Sequence, residues 1–171
     1  RLALYIATHY PEIVDSLTLV SASPGLKTEA ERIERQARDN ELADKIEAKG
    51  MAWFADFWEQ LSLWDSQSDQ LKAQLRQKRL HNHPIGLANS LRGMGTGVMP
   101  SLWDDLSVLP MPVKLIVGEH DTKFVAINQE MAAKIPAADL TIIKNAGHAC
   151  HLEQAREFTK IVATFLNDHP H

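Results

Sequence analysis

The sequence predicts an α/β protein in which helices flank a parallel sheet and a helical segment is inserted between two of the strands. Short β-branched apolar runs alternate with helical patterns at both ends of the chain, an order that favours parallel strands connected by helices. Between these ends the composition changes, and charged residues and Gln dominate. We therefore expect the sheet and its helices over 1–26 and 111–171, and a helical cap over 27–110.

The N-terminal segment predicts a helix followed by a buried strand. Residues 1–10 follow a helical rhythm that ends at Tyr10, because the residue before a proline resists the helical conformation. Residues 13–20 are mostly β-branched and apolar, which is typical of a buried strand. The turn residues 21–25 then close this strand.

The cap predicts a series of helices. Ala, Leu and aromatic residues recur at helical spacing, and Thr28 with Glu31 has the form of a capping box. The glycine-rich segment 93–97 predicts a flexible turn, and residues 100–103 predict the start of a short helix. The predicted cap helices cover 28–39, 41–48, 50–60, 67–80 and 84–92.

The C-terminal segment predicts two strands and two helices in alternation. The strands cover 113–117 and 139–144, and the helices cover 125–135 and 153–167. One face of the last helix is apolar at the spacing expected of a helix that packs against a sheet. That face carries Phe158, Ile161, Val162, Phe165 and Leu166.

Length, charge and cysteine content exclude several classes of protein. With 171 residues the chain is long enough for one domain with a hydrophobic core. The net charge of −4 gives no electrostatic footprint for nucleic acid, and no apolar run approaches the roughly 20 residues of a membrane span. The single Cys150 excludes an internal disulfide, which fits the reducing cytoplasm. We expect a cytoplasmic protein without nucleic-acid or membrane partners.

Polar residues stand at the ends of the two C-terminal strands. Asp121 follows the first strand, and His148 follows the second strand 27 residues later. An acid and then a base on consecutive strand ends form the second half of an α/β-hydrolase triad, in which the carboxylate orients the imidazole that moves the proton. Taken singly, Asp121 could instead cap the helix that follows it, and His148 could be a structural loop residue.

The other residues near this pair indicate neither a metal centre nor a thiol nucleophile. His148 and His151 are three residues apart, but no further carboxylate or cysteine cluster completes a zinc site. No sharp turn presents Cys150, so we expect it to be a small buried residue. The sequence therefore predicts no metal and no cofactor.

The nucleophilic serine of such a triad lies in a Gly-x-Ser-x-Gly turn between a strand and a helix, and the sequence contains no such turn. Ser23 does not fit, because Ser21 stands where the first glycine is required and Pro24 follows in place of a helix. The chain also begins with Arg1 already in helical rhythm. We therefore expect that it was cut from a longer protein.

Four segments together resemble one family within the α/β-hydrolase superfamily. They are similar to the 2-succinyl-6-hydroxy-2,4-cyclohexadiene-1-carboxylate (SHCHC) synthases of menaquinone (vitamin K2) biosynthesis, and the resemblance extends over essentially the whole chain. It implies that a serine elbow lies directly before Arg1, and that this fragment is inactive without the N-terminal half of the same fold. The four segments are 21–26, 88–97, 118–124 and 146–153.

The resemblance also implies a reaction and a set of binding residues. Members of the family are lyases that eliminate pyruvate from a succinyl-cyclohexene carboxylate precursor by means of a Ser–Asp–His triad. Their small polycarboxylate substrate suits arginine, whose planar fork binds a carboxylate with two hydrogen bonds. Matching motifs imply that Arg35, Arg79 and Trp58 bind the substrate, with Arg92 as an additional candidate. From spacing alone, each arginine could be solvated or paired with acidic neighbours, and Trp58 could belong to the cap core.

Two alternatives to the lyase stay open. A hydrolase of the same fold would cleave an ester, a thioester or a C–C bond. A non-catalytic binding module would keep the fold without the nucleophile. A Gly-x-Ser-x-Gly turn encoded directly before Arg1 would favour an enzyme.

Overall fold

The computed structural model describes residues 1–170, whose contacts divide into two compact units. The core unit consists of 1–24, 63–67 and the described residues from 102 onward. The helical unit consists of 25–62 and 68–101. Its bounds differ from the predicted cap in two ways: residues 25–26 belong to the helical unit, and segments 63–67 and 102–110 belong to the core unit.

A three-stranded parallel sheet forms the centre of the core unit. The strands are β1 (Leu17–Val20), β2 (Val113–Gly118) and β3 (Ala138–Ile143), and they lie in the order β1-β2-β3. Every residue of β2 is buried, which explains why its sequence is almost uniformly apolar. The prediction that the first strand begins at residue 13 is wrong, because the proline-initiated segment Pro11–Ile13 forms a 3-10 helix.

Helices cover both faces of this sheet. Successive residues of a strand point to opposite faces, and Leu115 and Ile116 of β2 accordingly belong to two different hydrophobic clusters. Leu115 packs in a cluster with residues of α1 (Leu2–His9) and α5 (Thr122–Lys134). Ile116 packs in a cluster with residues of α7 (Ala155–Asp168).

The C-terminal helices differ in detail from the prediction. The predicted helix 153–167 is divided into α6 (Cys150–Glu153) and α7, because Gln154 has the non-helical backbone angles φ −131° and ψ 55°. Phe158, Ile161, Val162 and Phe165 of α7 are buried or half-buried as expected. Leu166 is 47% exposed, so its assignment to the apolar face is wrong.

The helical unit is built from α2 (Glu29–Glu59), α3 (Asp69–Leu80) and α4 (Pro84–Met94). Three predicted helices correspond to the single α2, which is interrupted at Gly50 (φ 78°, ψ −177°). This φ lies in the left-handed region that glycine adopts without steric cost. The predicted capping box is confirmed, since Thr28 and Glu31 exchange both of its hydrogen bonds at the start of α2.

The glycine-rich segment after α4 has a different role from the predicted flexible turn. A Cβ atom on Gly95 would lie 2.3 Å from the carbonyl oxygen of Leu91, and one on Gly97 would lie 2.4 Å from the backbone nitrogen of Gln36. Both glycines are therefore needed for the close approach of this segment to its neighbours. Residues 100–103 form no helix, and a 3-10 helix spans Leu106–Val108 instead.

Within residues 1–170, no helix combines the length and the apolarity that a membrane crossing requires.

Candidate active site

The structure brings Asp121 and His148 into direct contact. Nδ1 of His148 lies 2.7 Å from Oδ2 of Asp121, although the two residues are 27 positions apart in the chain. The Asp121 side chain is 4% exposed and that of His148 is 23% exposed. A buried carboxylate thus holds one edge of an imidazole whose ring still reaches the surface.

Backbone hydrogen bonds between the two strand-end turns fix this contact. The N–H group of His120 donates to the carbonyl of Ala146 at 2.8 Å, and the N–H group of Glu119 donates to Ile143 at 2.9 Å. A Cβ atom on Gly118 would lie 2.2 Å from the carbonyl oxygen of Gly147, so the backbones approach too closely for any other residue. The turn after β2 and the turn after β3 therefore form one bonded structure.

The surroundings of Asp121 bear on both interpretations of this residue. Asp121 precedes α5 at the N-cap position, and its carbonyl accepts a hydrogen bond from Val125. Its side chain makes no capping hydrogen bond to the helix. The carboxylate is directed to His148, as a base-orienting acid requires.

Two aromatic side chains contact the imidazole, and no sequence pattern had indicated either of them. The ring of Phe124 lies 4.6 Å from that of His148, and the ring of Trp64 lies 5.8 Å away with its edge towards it. Phe124 stands three residues after Asp121, in the first turn of α5, so helical geometry could have indicated it. Trp64 belongs to segment 63–67 of the core unit and carries no local signal of this contact.

The glycine before His148 is required by packing. A Cβ atom on Gly147 would lie 2.1 Å from Oγ of Ser66. The Gly147 N–H group donates to Oε2 of Glu153 at 2.9 Å, which ties the turn to α6. Its φ is not positive, so a left-handed backbone conformation is not the reason for the glycine.

Burial controls the titration of the neighbouring groups. Desolvation raises the pKa of the Cys150 thiol, although a hydrogen bond with Ser21 opposes the shift. Cys150 is fully buried, as predicted, and a neutral buried thiol is a poor nucleophile. Burial also lowers the pKa of His151, and electrostatic repulsion between the two imidazoles lowers it further, whereas the nearby Glu153 opposes the shift. The described residues include no group of three or more His, Cys, Asp or Glu placed to hold a metal ion.

The residues implied to bind the substrate lie in the helical unit. Arg35 and Trp58 line the same cavity, whose volume is about 640 Å³. Arg38, Lys45 and Lys49 also line it, so cations outnumber the acids Asp39 and Glu41. The structure therefore brings Arg35 and Trp58 together in one cavity, in which Arg35, Arg38 and Lys45 are each paired with an acidic residue of α2.

The other two arginines are held by acidic residues outside this cavity. Arg79 is 13% exposed, and its Nη1 donates to Oε1 of Glu59 at 3.2 Å. Arg92 donates to Glu47 and Asp44 of α2 at 2.6 Å, and these hydrogen bonds raise its pKa. Arg92 is thus engaged in an ion-pair network with α2.

Comparison with known proteins gives the class of the chain. A family model described as "Alpha/beta hydrolase family" matches residues 2–161. The chain belongs to this family, and the predicted fold is confirmed. An esterase from Thermogutta terrifontis shares the fold at a TM-score of 0.82, with 21% identity over 99% of this chain and 62% of that chain.

More similar relatives confirm the particular resemblance. A protein of Bacillus subtilis (strain 168), provisionally named as an SHCHC synthase, is 48% identical over 97% of this chain and 62% of its own length. The structure of MenH from S. aureus superposes with a TM-score of 0.95 and 37% identity, over 99% of this chain and 65% of that one. The chain thus spans about three fifths of the length of these relatives.

Proposed function

We propose that the protein carrying this chain is a carbon–oxygen lyase that eliminates pyruvate from a succinyl-cyclohexene carboxylate precursor and forms SHCHC in menaquinone biosynthesis. The observation that supports it most directly is the 2.7 Å contact between His148 and Asp121. The similarity to SHCHC synthases over 97% of the chain supplies the reaction and the substrate class. The reaction would take place in the cytoplasm and needs no metal or cofactor.

In the proposed mechanism, Asp121 accepts a hydrogen bond from the Nδ1–H group of His148. This contact places the lone pair of the imidazole on Nε2, which can then take a proton from a hydroxyl group. The hydroxyl is that of the family's elbow serine, which by the resemblance precedes Arg1. Phe124 and Trp64 contact the imidazole ring and restrict its rotation.

The serine oxygen then acts as a base on the substrate. It removes a proton from carbon, the electron pair of that C–H bond forms a double bond, and the C–O bond breaks with its electron pair on the oxygen, which leaves as the enolate of pyruvate. The enolate takes up a proton to give pyruvate and the imidazolium of His148 releases its proton, so that the serine hydroxyl and the neutral imidazole are restored. The carboxylate of Asp121 stabilises the positive charge that develops on the imidazole of His148 when it holds the serine proton. No acyl-enzyme is formed, which distinguishes this mechanism from ester hydrolysis by the same triad.

In the same proposal, Arg35, Trp58 and Arg79 bind the polycarboxylate substrate. The cation-rich cavity lined by Arg35 and Trp58 supports this role for those two residues. Because Nη1 of Arg79 donates to Glu59, a substrate carboxylate would share the guanidinium of Arg79 with that residue. Arg79 does not line the cavity, and its role is taken from the family resemblance.

The test is to express the complete gene and to measure pyruvate release from the succinyl-cyclohexene carboxylate precursor. The proposal expects release by the complete protein and none by residues 1–171 alone, since the triad serine would be missing. Hydrolysis of simple esters without pyruvate release would favour the hydrolase alternative. Substrate binding without any turnover would favour the binding module.

A further inference from the structure

Asp39 is a buried carboxylate in the first half of α2, and its side chain is 6% exposed. Its Oδ1 atom accepts a hydrogen bond from Nε of Arg35 at 2.8 Å. Its Oδ2 atom is buried without a hydrogen-bond partner among residues 1–170. Burying a carboxylate with one unpaired oxygen costs free energy. An ion pair between residues four apart on a helix offsets only a small part of that cost. The stability of α2 therefore does not explain the pair.

The glycine-rich segment after α4 keeps Asp39 in this position. A Cβ atom on Gly95 would lie 2.6 Å from Oδ2 of Asp39. A Cβ atom on Gly97 would lie 2.4 Å from the backbone nitrogen of Gln36, which is one turn before Asp39 on α2. The backbone of this segment thus packs on the part of α2 that carries Asp39, and keeps the carboxylate out of water.

Arg35 uses a small part of its hydrogen-bonding capacity on this contact. A guanidinium group carries five N–H donors in a planar fork. Among residues 1–170, Arg35 donates its hydrogen bond through Nε. The side chain is 44% exposed and lines the cavity that Trp58 also lines. The edge formed by Nη1 and Nη2 therefore remains for a carboxylate from solution.

We propose that Asp39 is a positioning residue that holds the guanidinium of Arg35 by its Nε edge and presents the Nη1–Nη2 edge to a carboxylate of the substrate. This inference rests on the proposed function, because it takes the substrate to be a polycarboxylate. A free arginine side chain loses conformational freedom when it binds a ligand, and an arginine already held by Asp39 loses less. Asp39 thereby affects substrate binding more than the chemical step.

The test is a double-mutant cycle in the complete protein, with pyruvate release as the assay. Asp39→Ala should raise KM roughly tenfold and change kcat by less than about threefold, because coupled residues interact at this magnitude. Arg35→Ala should raise KM at least as much. Since Asp39 acts through Arg35, Asp39→Ala should have no further effect on KM in the Arg35→Ala background. Independent, multiplying effects of the two substitutions would overturn the inference.

Two further variants serve as controls. Asp39→Asn keeps the shape of the side chain and one oxygen for Nε of Arg35, so it should give a KM between those of the wild type and Asp39→Ala. If Asp39→Ala fails to fold, Asp39→Asn replaces it in the cycle. Asp44→Ala is the matched control, because Asp44 is also an acid of α2 that pairs with an arginine, but its partner Arg92 does not line the cavity. Its KM should equal that of the wild type.

A binding measurement separates this inference from the proposed function. Calorimetric titration with succinate, a simple dicarboxylate, needs no turnover. The wild type should bind succinate, and Asp39→Ala should weaken the binding by a factor similar to the change in KM. Absence of pyruvate release by the wild type, with succinate binding that depends on Asp39, would contradict the lyase but support the positioning role. Normal turnover with KM and succinate affinity unchanged in both Asp39 variants would contradict the positioning role alone.

Discussion

Asp121 and Asp39 are both buried carboxylates that bind one cationic or protonatable partner, but the two units of the protein form these pairs in different ways. Asp121 of the core unit contacts His148 across two strand-end turns, 27 residues away. Asp39 of the helical unit contacts Arg35 one turn earlier on the same helix. The first pair depends on hydrogen bonds between separate loops, whereas the second depends on helical geometry and on the packing of Gly95.

This difference corresponds to the demands of the two proposed roles. Proton transfer requires that donor and acceptor lie within hydrogen-bond distance in a defined orientation, and rigid strand ends provide this accuracy. Binding of a carboxylate by a partly exposed arginine tolerates more movement. Substitutions in the core unit should therefore lower kcat, and substitutions in the helical unit should raise KM or alter stability.

The largest expected effect is that of His148→Ala. Without the imidazole, no group accepts the serine proton, so kcat in the complete protein should fall by roughly 10³-fold or more. Pyruvate release under substrate saturation measures this change. His151→Gln is the matched control, because His151 lies three residues later, in α6, and should leave kcat almost unchanged. Near-normal turnover of His148→Ala would exclude His148 from proton transfer.

Asp121→Asn should have the next largest effect. The amide keeps the size of the side chain but no longer selects the tautomer of His148 or stabilises its charged form, so kcat should fall by at least about 10²-fold. KM should change little, in contrast to the effect expected of Asp39→Asn. Equal effects of the two Asp→Asn variants on kcat would contradict the division of roles between the units.

Gly147→Ala tests the packing that supports His148. The added methyl group would overlap Oγ of Ser66, so the free energy of unfolding should fall by about 1–3 kcal/mol. Urea denaturation measures this change. Ser66→Ala should have little effect by itself, because Ser66 is largely exposed, and should restore part of the stability in the double variant. A Gly147→Ala variant as stable as the wild type would show that the two loops are not in close contact.

The smallest expected effect concerns the capping box of α2. Hydrogen bonds from the backbone N–H and the hydroxyl of Thr28 lower the pKa of Glu31. A carboxylate with a lowered pKa stabilises the folded state at neutral pH, and this contribution is lost as the pH falls below about 4. Glu31→Gln should therefore lower the melting temperature slightly at pH 7 and not at pH 3. A difference of equal size at both pH values would contradict this origin.

Local sequence signals predicted much of the fold. The strand β2, the helices of the C-terminal segment and the capping box of Thr28 and Glu31 follow from hydrophobic periodicity and from side-chain chemistry close in sequence. The errors arise where distant contacts decide the structure. The predicted flexible turn at 93–97 is a packed segment, because Gly95 and Gly97 approach the distant helix α2.

The candidate site shows the same division. The order of Asp121 and His148 after successive strands was enough to predict their contact, because neighbouring parallel strands end at the same edge of a sheet. Trp64 could not be predicted as a neighbour of His148, since 84 residues separate them and no periodic pattern connects them. The engagement of Arg92 by Asp44 and Glu47 was equally hidden, because these acids lie on another helix.

The sequence by itself determined the order of strands and helices, the contact between Asp121 and His148 and the family resemblance, because each of these depends on patterns of a few neighbouring residues. Only the tertiary structure decided which side chains surround His148, why residues 95 and 97 are glycines, and which arginines retain donors for a ligand. These properties depend on distances between segments that are far apart along the chain, and such distances are set when the hydrophobic clusters pack.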